Sequence, residues 1–240
     1  MGKSIIIKGA DYSANGILPE FVRLSWIGLS DSNGSFEETP YGRFISSGVN
    51  VTSEVKMIMT FQTDNTPHSV MLSGSRYSVG STFQIWLQGE RVVAYFGMYD
   101  NTTNSELIQR NLWDGNIHTV ELSKSGIVVD GDEYLWTNPV PTASWNVPIY
   151  LDCSSQQPAQ GGYYNSYAHD EVEEGVYVPC PESVKIKNVK IYTDYQSPAS
   201  IVVDAIPVKR TADNVVCFYN TVNAGYLQRN DGSEPEYGTL

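Results

Sequence analysis

The chain has 240 residues, 18% of them charged, with 16 Tyr, 20 Gly and 12 Pro. Turn formers and aromatics are abundant and the Ala/Leu/Glu/Lys blocks of long helices are scarce, which excludes a helical protein and suits one large β domain. A formal net charge of -12 opposes nucleic acid and anionic membrane surfaces, because both draw their affinity from Lys and Arg on the protein.

From the start of the chain, Met1-Gly2-Lys3-Ser4 runs into Ile5-Ile6-Ile7-Lys8, an apolar run too short for a secretory signal and lacking a cleavage site. No stretch approaches the roughly 18 apolar residues a membrane helix needs. The expectation is synthesis in the cytoplasm without membrane insertion. A short strand over Ser4 to Lys8, a turn-rich linker over Gly9 to Gly16 and an apolar run over Phe21 to Leu29 precede a polar loop, Asp31 to Glu38. Residues 1–42 are read as an N-terminal arm packing on the domain formed by residues 43–240 or on a partner.

From Arg43 onward the rhythm is that of β-structure. Val55, Met57, Met59 and Phe61 alternate with other residues over one face of a strand. Further strands are expected at Ser69 to Ser73, Thr82 to Gln88, Arg91 to Met98 and Ile117 to Ser123. Ser125 to Trp136 reads as a hairpin, because Asp130-Gly131 between apolar runs supplies the positive φ of a tight turn. Val147 to Cys153, Ser183 to Asp194, Ala199 to Lys209 and Val215 to Asn220 complete about a dozen strands, enough for two packed antiparallel sheets.

The C-terminal order is the most distinctive. A strand with Ile186, Val189 and Ile191 leads to Asp204-Ala205-Ile206-Pro207-Val208-Lys209-Arg210, then to Tyr219-Asn220-Thr221-Val222-Asn223 and a small-residue turn, Ala224-Gly225. This order resembles the close of concanavalin A-like, laminin G-like jelly-roll domains found in phages and prophages of gut Bacteroidetes. Phe44 to Val49, Val55 to Phe61, Met71 to Gly74, Asp114 to Leu122 and Val129 to Gly131 are similar, in the same order, to the middle of those domains. The resemblance spans roughly Arg43 to Tyr226. It implies an all-β, two-sheet antiparallel jelly-roll sandwich of the concanavalin A-like lectin/glucanase type. It also implies a setting in a virion or phage-like particle, among other particle proteins, with a trimer as the fibre arrangement.

One segment departs from the family's pattern. Ser154 to Pro181 is a long polar connection, and such a connection without structure of its own is usually functional or disordered. It holds Tyr163, Tyr164, Asn165, Tyr167 and His169, flat rings beside hydrogen-bonding groups, which are the parts a sugar site needs. These five are the candidate ligand-binding residues. Asp170, Glu171 and Glu173, with Glu174 next to them, could supply several of the six to eight oxygens of a calcium site, and calcium is the one cofactor considered. A solvated acidic loop is the competing account of that run.

Catalytic patterns are missing. A Glu-x-Asp-x-x-Glu array of the glucanase kind is absent from Asp130-Gly131-Asp132-Glu133 and from Asp170 to Glu174, and the first cluster reads as a solvated hairpin end. Of the histidines His68, His118 and His169, none neighbours a Gly-x-Ser-x-Gly elbow, and the resemblance makes His118 structural. Cys153, Cys180 and Cys217, an odd count without a C-x-x-C pair, read as buried reduced thiols. Trp86, Tyr95 and Trp136 lie in alternating strands and read as core. The expectation is a non-enzymatic virion structural protein, a fibre, decoration or tail component, whose lectin-like domain binds host-surface glycans. The alternatives are a free-standing glycan-binding module and, behind it, a glycoside hydrolase.

Overall fold

The computed structural model describes residues 5–7, 10–12, 20–28, 45–67, 69–78, 81–97, 104–140, 142, 144–151, 158–159, 162–163, 169–173, 176–179, 184–228, 235 and 237–240. In chain order the strands are β1 (Ile5–Ile7), β2 (Ala10–Tyr12), β3 (Phe21–Gly28), β4 (Ile45–Thr52), β5 (Lys56–Thr63), β6 (Ser69–Ser78), β7 (Ser81–Gln88), β8 (Val92–Gly97), β9 (Asn104–Ile108), β10 (Ile117–Ser123) and β11 (Gly126–Val129). They continue with β12 (Asp132–Leu135), β13 (Ser144–Leu151), β14 (Pro158–Ala159), β15 (Gly162–Tyr163), β16 (His169–Glu173), β17 (Val176–Pro179), β18 (Val184–Tyr192), β19 (Ile201–Arg210), β20 (Val216–Asn220), β21 (Gly225–Leu227) and β22 (Tyr237–Thr239). Among the described residues the one helical element is a 3-10 turn, Pro198–Ser200. Of β1, β2 and β14 to β17 the backbone course alone is described.

Two sheets carry the fold. The ten-stranded sheet runs β12-β11-β10-β5-β18-β3-β19-β20-β21, with β22 beside β3, and the six-stranded sheet runs β4-β13-β6-β7-β8-β9. Their strand pairs are antiparallel. The chain changes sheet repeatedly: β4 lies in the smaller sheet, β5 in the larger, β6 to β9 in the smaller, β10 to β12 in the larger, β13 in the smaller and β18 to β21 in the larger. That exchange between two antiparallel layers is the connectivity of a jelly-roll sandwich.

The core forms where the two inner faces meet. In β5 every second residue is buried, so Met57, Met59 and Phe61 point inward as the sequence alternation requires. Phe83, Ile85 and Leu87 of β7 and Ala94 and Phe96 of β8 belong to the same continuous cluster, and the rings of Phe83 and Phe96 meet edge to face at 5.1 Å. Each such large apolar side chain contributes about 1.5–3 kcal/mol by leaving water. The buried Asn220 amide is tied down: its Nδ2 donates to the Val202 carbonyl at 2.9 Å, and its Oδ1 accepts from the Asp204 and Val222 amides. A buried amide left without partners would destabilise the fold by about 1–3 kcal/mol.

Within residues 1–42, Phe21–Gly28 takes a place inside the larger sheet. Its first half pairs with β19, Arg23 opposite Val208, and its end pairs with β18, Gly28 opposite Lys185. The Asp130-Gly131 turn forms as the sequence requires, with φ of 49° and 91° at its two central residues. One strand departs from the sequence reading: Asn104-Ser105-Glu106 carries no apolar alternation, yet β9 forms as an edge strand through its ladder with β8. The connection over Ser154 to Pro181, whose order the sequence leaves open, contains the short hairpins β14–β15 and β16–β17.

Candidate functional site

The outer face of the six-stranded sheet carries an aromatic and amide constellation. Phe83, Ile85 and Leu87 bury one side of β7, which turns Gln84, Trp86 and Gln88 to the other. In β8, Ala94 and Phe96 point inward and Tyr95 outward. Trp86 pairs with Val93 and Gln84 with Tyr95 across the ladder. Trp86 and Tyr95 are therefore diagonal neighbours, about 7–8 Å apart in backbone terms. Both are half-buried, and Trp86 rests partly against core residues. The Trp86 indole N–H points to Gln84 Oε1 at 3.5 Å, a long contact that orients the ring. Leu107 of β9 extends the patch, opposite Val93 and half exposed at 49%.

Trp86, read as core, does pack against the inner cluster, but from the outer side of β7, and Tyr95, read as core, is half-buried on the outer side of β8. The signal was present in the alternation Phe83-Gln84-Ile85-Trp86-Leu87 and Ala94-Tyr95-Phe96, where the flanking apolar residues claim the inner face. Trp136 is half-buried and packed against the core, its indole N–H donating to the Ser123 carbonyl at 2.9 Å. Trp113 is buried, with its N–H on the Gly89 carbonyl at 2.8 Å. Those two rings are structural.

The residues chosen from the sequence stand apart from this face in the chain. Tyr163 ends β15, and His169, Asp170, Glu171 and Glu173 lie in β16 opposite Pro179, Val178, Tyr177 and Val176. Tyr164, Asn165, Tyr167 and Glu174 lie outside the described residues, as do the side chains of Tyr163 and of β16. β14 and β16 both come beside β6, the strand next to β7. The excursion thus approaches the sheet that bears Trp86 and Tyr95.

The acidic hairpin end is exposed over Asp130 to Glu133, as the sequence reading has it, and is also tied into a bonded network. His118 is buried, with Nδ1 2.9 Å from Asp130 Oδ2 and Nε2 2.9 Å from Asp114 Oδ1. Asp130 Oδ1 accepts the Thr119 amide at 2.8 Å, and Arg110 bonds Asp130, Asp132 and the Val129 carbonyl. The Asn116 amide, with the His118 ring behind it, holds the Asp114 carboxyl down at about 2. The oxygens of Asp130 are spent on these contacts, and the network fastens the loop before β10 to the β11–β12 turn. No group of three or more His, Cys, Asp or Glu suited to a metal ion occurs among the described residues. His68, Cys153 and Cys180 lie outside them. Cys217 is buried and free, and burial pushes its thiol up to about 11, as expected of an inert reduced cysteine.

Comparison with protein-family models matched none, and comparison with curated proteins found no match. Among solved structures, the chain is similar to the mouse laminin alpha1 chain, domains LG4-5, at 19% identity and a TM-score of 0.44. The likeness covers 80% of this chain and 47% of that one, so the chain spans about half the length of the laminin structure it matches.

Proposed function

We propose that this sandwich is a non-catalytic glycan-binding module whose site is the outer face of the six-stranded sheet, with Trp86 and Tyr95 as stacking platforms and Gln84 as a hydrogen-bonding partner. The observation that carries the reading is the diagonal placement of two half-buried rings on the side of β7 and β8 turned away from the core. A pyranose offers an apolar C–H face and a rim of hydroxyls, and an aromatic ring beside an amide matches both. The excursion that carries Tyr163 and His169 lies beside β6 and would border the same site. The resemblance of residues 43 to 226 to phage-encoded jelly rolls supports a particle setting, a fibre, tail or decoration protein that uses this face for host attachment.

A glycan array with the whole chain, repeated with Trp86→Ala and Tyr95→Ala, tests the reading. Specific binding that weakens about tenfold or more in either variant is expected, since one lost stacking platform is worth on the order of 1.4 kcal/mol. Binding that survives both substitutions, or none on a broad array, overturns it. Loss in Tyr163→Ala alone would overturn the assignment of the sheet face and move the site to the excursion.

A further inference from the structure

The strand order β12-β11-β10-β5-β18 sets β10 in the middle of one stretch of the larger sheet, with two strands on either side. Val120, Leu122, Ile127 and Val129 are buried in the core and Tyr134 packs against it. Thr119, Glu121, Val128, Glu133 and Leu135 therefore stand on the outer side, because side chains alternate along a strand. One row across the five strands reads Glu133, Val128, Glu121, Ile58 and Lys190. Its ends are opposite in charge, and the positions between end and centre are apolar. Two residues along, Leu135, Gly126 and Ser123 stand on one side, and Lys56 and Tyr192 on the other. Leu135 is 67% exposed and Ile117, at the start of β10, 59%.

A two-fold axis laid along β10 turns this face onto a copy of itself. Each strand then lies over the one equally far from β10 on the other side, so β12 meets β18 and β11 meets β5. Glu133 meets Lys190 of the second copy, Val128 meets Ile58, and Leu135 meets the Tyr192 ring, while Ile117 and Thr119 meet their own copies on the axis. Gly126 brings no side chain to the place where Lys56 of the second copy arrives. Glu121 also comes to its own copy, and Lys56, 3.7 Å from it in each chain, supplies the opposing charge. Lys190 holds Asp204 at 3.9 Å, and an ammonium group with three donors can serve a second carboxylate. Sheets packed face to face lie about 10 Å apart with their strands within about 30°, a gap that side chains of this size fill.

We propose that this face is an interface between two copies of the chain, related by a two-fold axis along β10, with Glu133 and Lys190 as its reciprocal charge pair. A two-fold contact requires one patch that is complementary to itself, and the order acid, apolar, centre, apolar, base meets that requirement. The five strands span about 19 Å and the seven residues of β10 about 23 Å. The patch thus offers roughly 400 Å² of flat area on each chain, less than the roughly 800 Å² of a standard stable interface, so the pair forms and separates with concentration. Because the larger sheets meet, the smaller sheets lie on the far sides and the two Trp86–Tyr95 faces point away from each other. The interface does not depend on what those faces bind.

The test is sedimentation velocity of the whole chain from about 1 to 300 µM, a range that covers weak reversible pairs. The mass of one chain is expected at the low end and the mass of two at the high end. Glu133→Lys and Lys190→Glu should each weaken association about tenfold or more, since either places like charges face to face at two symmetry-related positions. Mixing the two variants should restore association to within about threefold of the parent, because both contacts of the mixed pair again join opposite charges. That recovery also shows both variants folded. Leu135→Asp should weaken the pair, and Trp86→Ala should leave it unchanged. One chain's mass at every concentration, a trimer, association indifferent to either charge reversal, or a mixture no tighter than its components each overturns the proposal. Glycan binding lost while pairing persists leaves this interface standing and bears on the Trp86–Tyr95 face alone.

Discussion

The Nδ1 of His118 lies 2.9 Å from Oδ2 of Asp130, so a buried ring at the start of β10 holds the turn that joins β11 to β12. Replacing His118 by Ala removes this contact and the one to Asp114, leaving two carboxylates to recover water. The Asp130 side chain is 24% exposed and the Asp114 side chain 43% exposed, so hydration recovers part of the loss. His118→Ala is expected to lower stability by about 1–2 kcal/mol, read as a shift in the urea midpoint without a change in slope. An unchanged midpoint would mean the network adds nothing to the fold.

Asp114 sets a stability term at low pH. Its carboxyl sits at about 2, depressed from an ordinary 3.8 by the Asn116 amide first and the His118 ring after it. A depressed carboxylate contributes stability that is fully present above 3.8 and is lost as pH falls through about 2. Solvent screens so exposed a group, so the contribution is under about 1 kcal/mol. The Asp114→Asn variant should be less stable than the parent at pH 6 and should converge with it by pH 2; parallel stability curves between those limits would refute the assignment.

Tyr95 and Phe96 are neighbours with opposite fates, and the pair tests which face of β8 is outward. Phe96 is fully buried against Phe83, and Phe96→Ala should destabilise by about 3–5 kcal/mol. Tyr95 stands half-buried on the outer side, and Tyr95→Ala should remove only about 1 kcal/mol or less. Thermal melts of both variants separate the cases, and comparable losses would place Tyr95 in a core.

Much of this arrangement is local in origin and could be read before folding. Met57, Met59 and Phe61 at a spacing of two require an inward face, and Asp130-Gly131 requires a tight turn, because side-chain direction along a strand and positive φ at a turn are properties of a few consecutive residues. The outward position of Trp86 was equally local, but aromatic residues are buried so often that the general tendency outweighed the alternation of Phe83, Ile85 and Leu87 around it.

What the sequence by itself determined is the kind of element, its two faces and the turn between neighbours. Tertiary structure alone decided which strands became partners: β5 between β10 and β18, Phe21–Gly28 against both β18 and β19, and His118 within reach of a carboxylate on either side. Pairing of distant strands depends on backbone groups that every residue except proline carries alike, so it leaves little mark in residue identity; it is selected by how the whole apolar surface can be buried at once. The proposed site on the outer face of the six-stranded sheet inherits that choice, since a ring on one strand becomes a binding platform only when its neighbours are known.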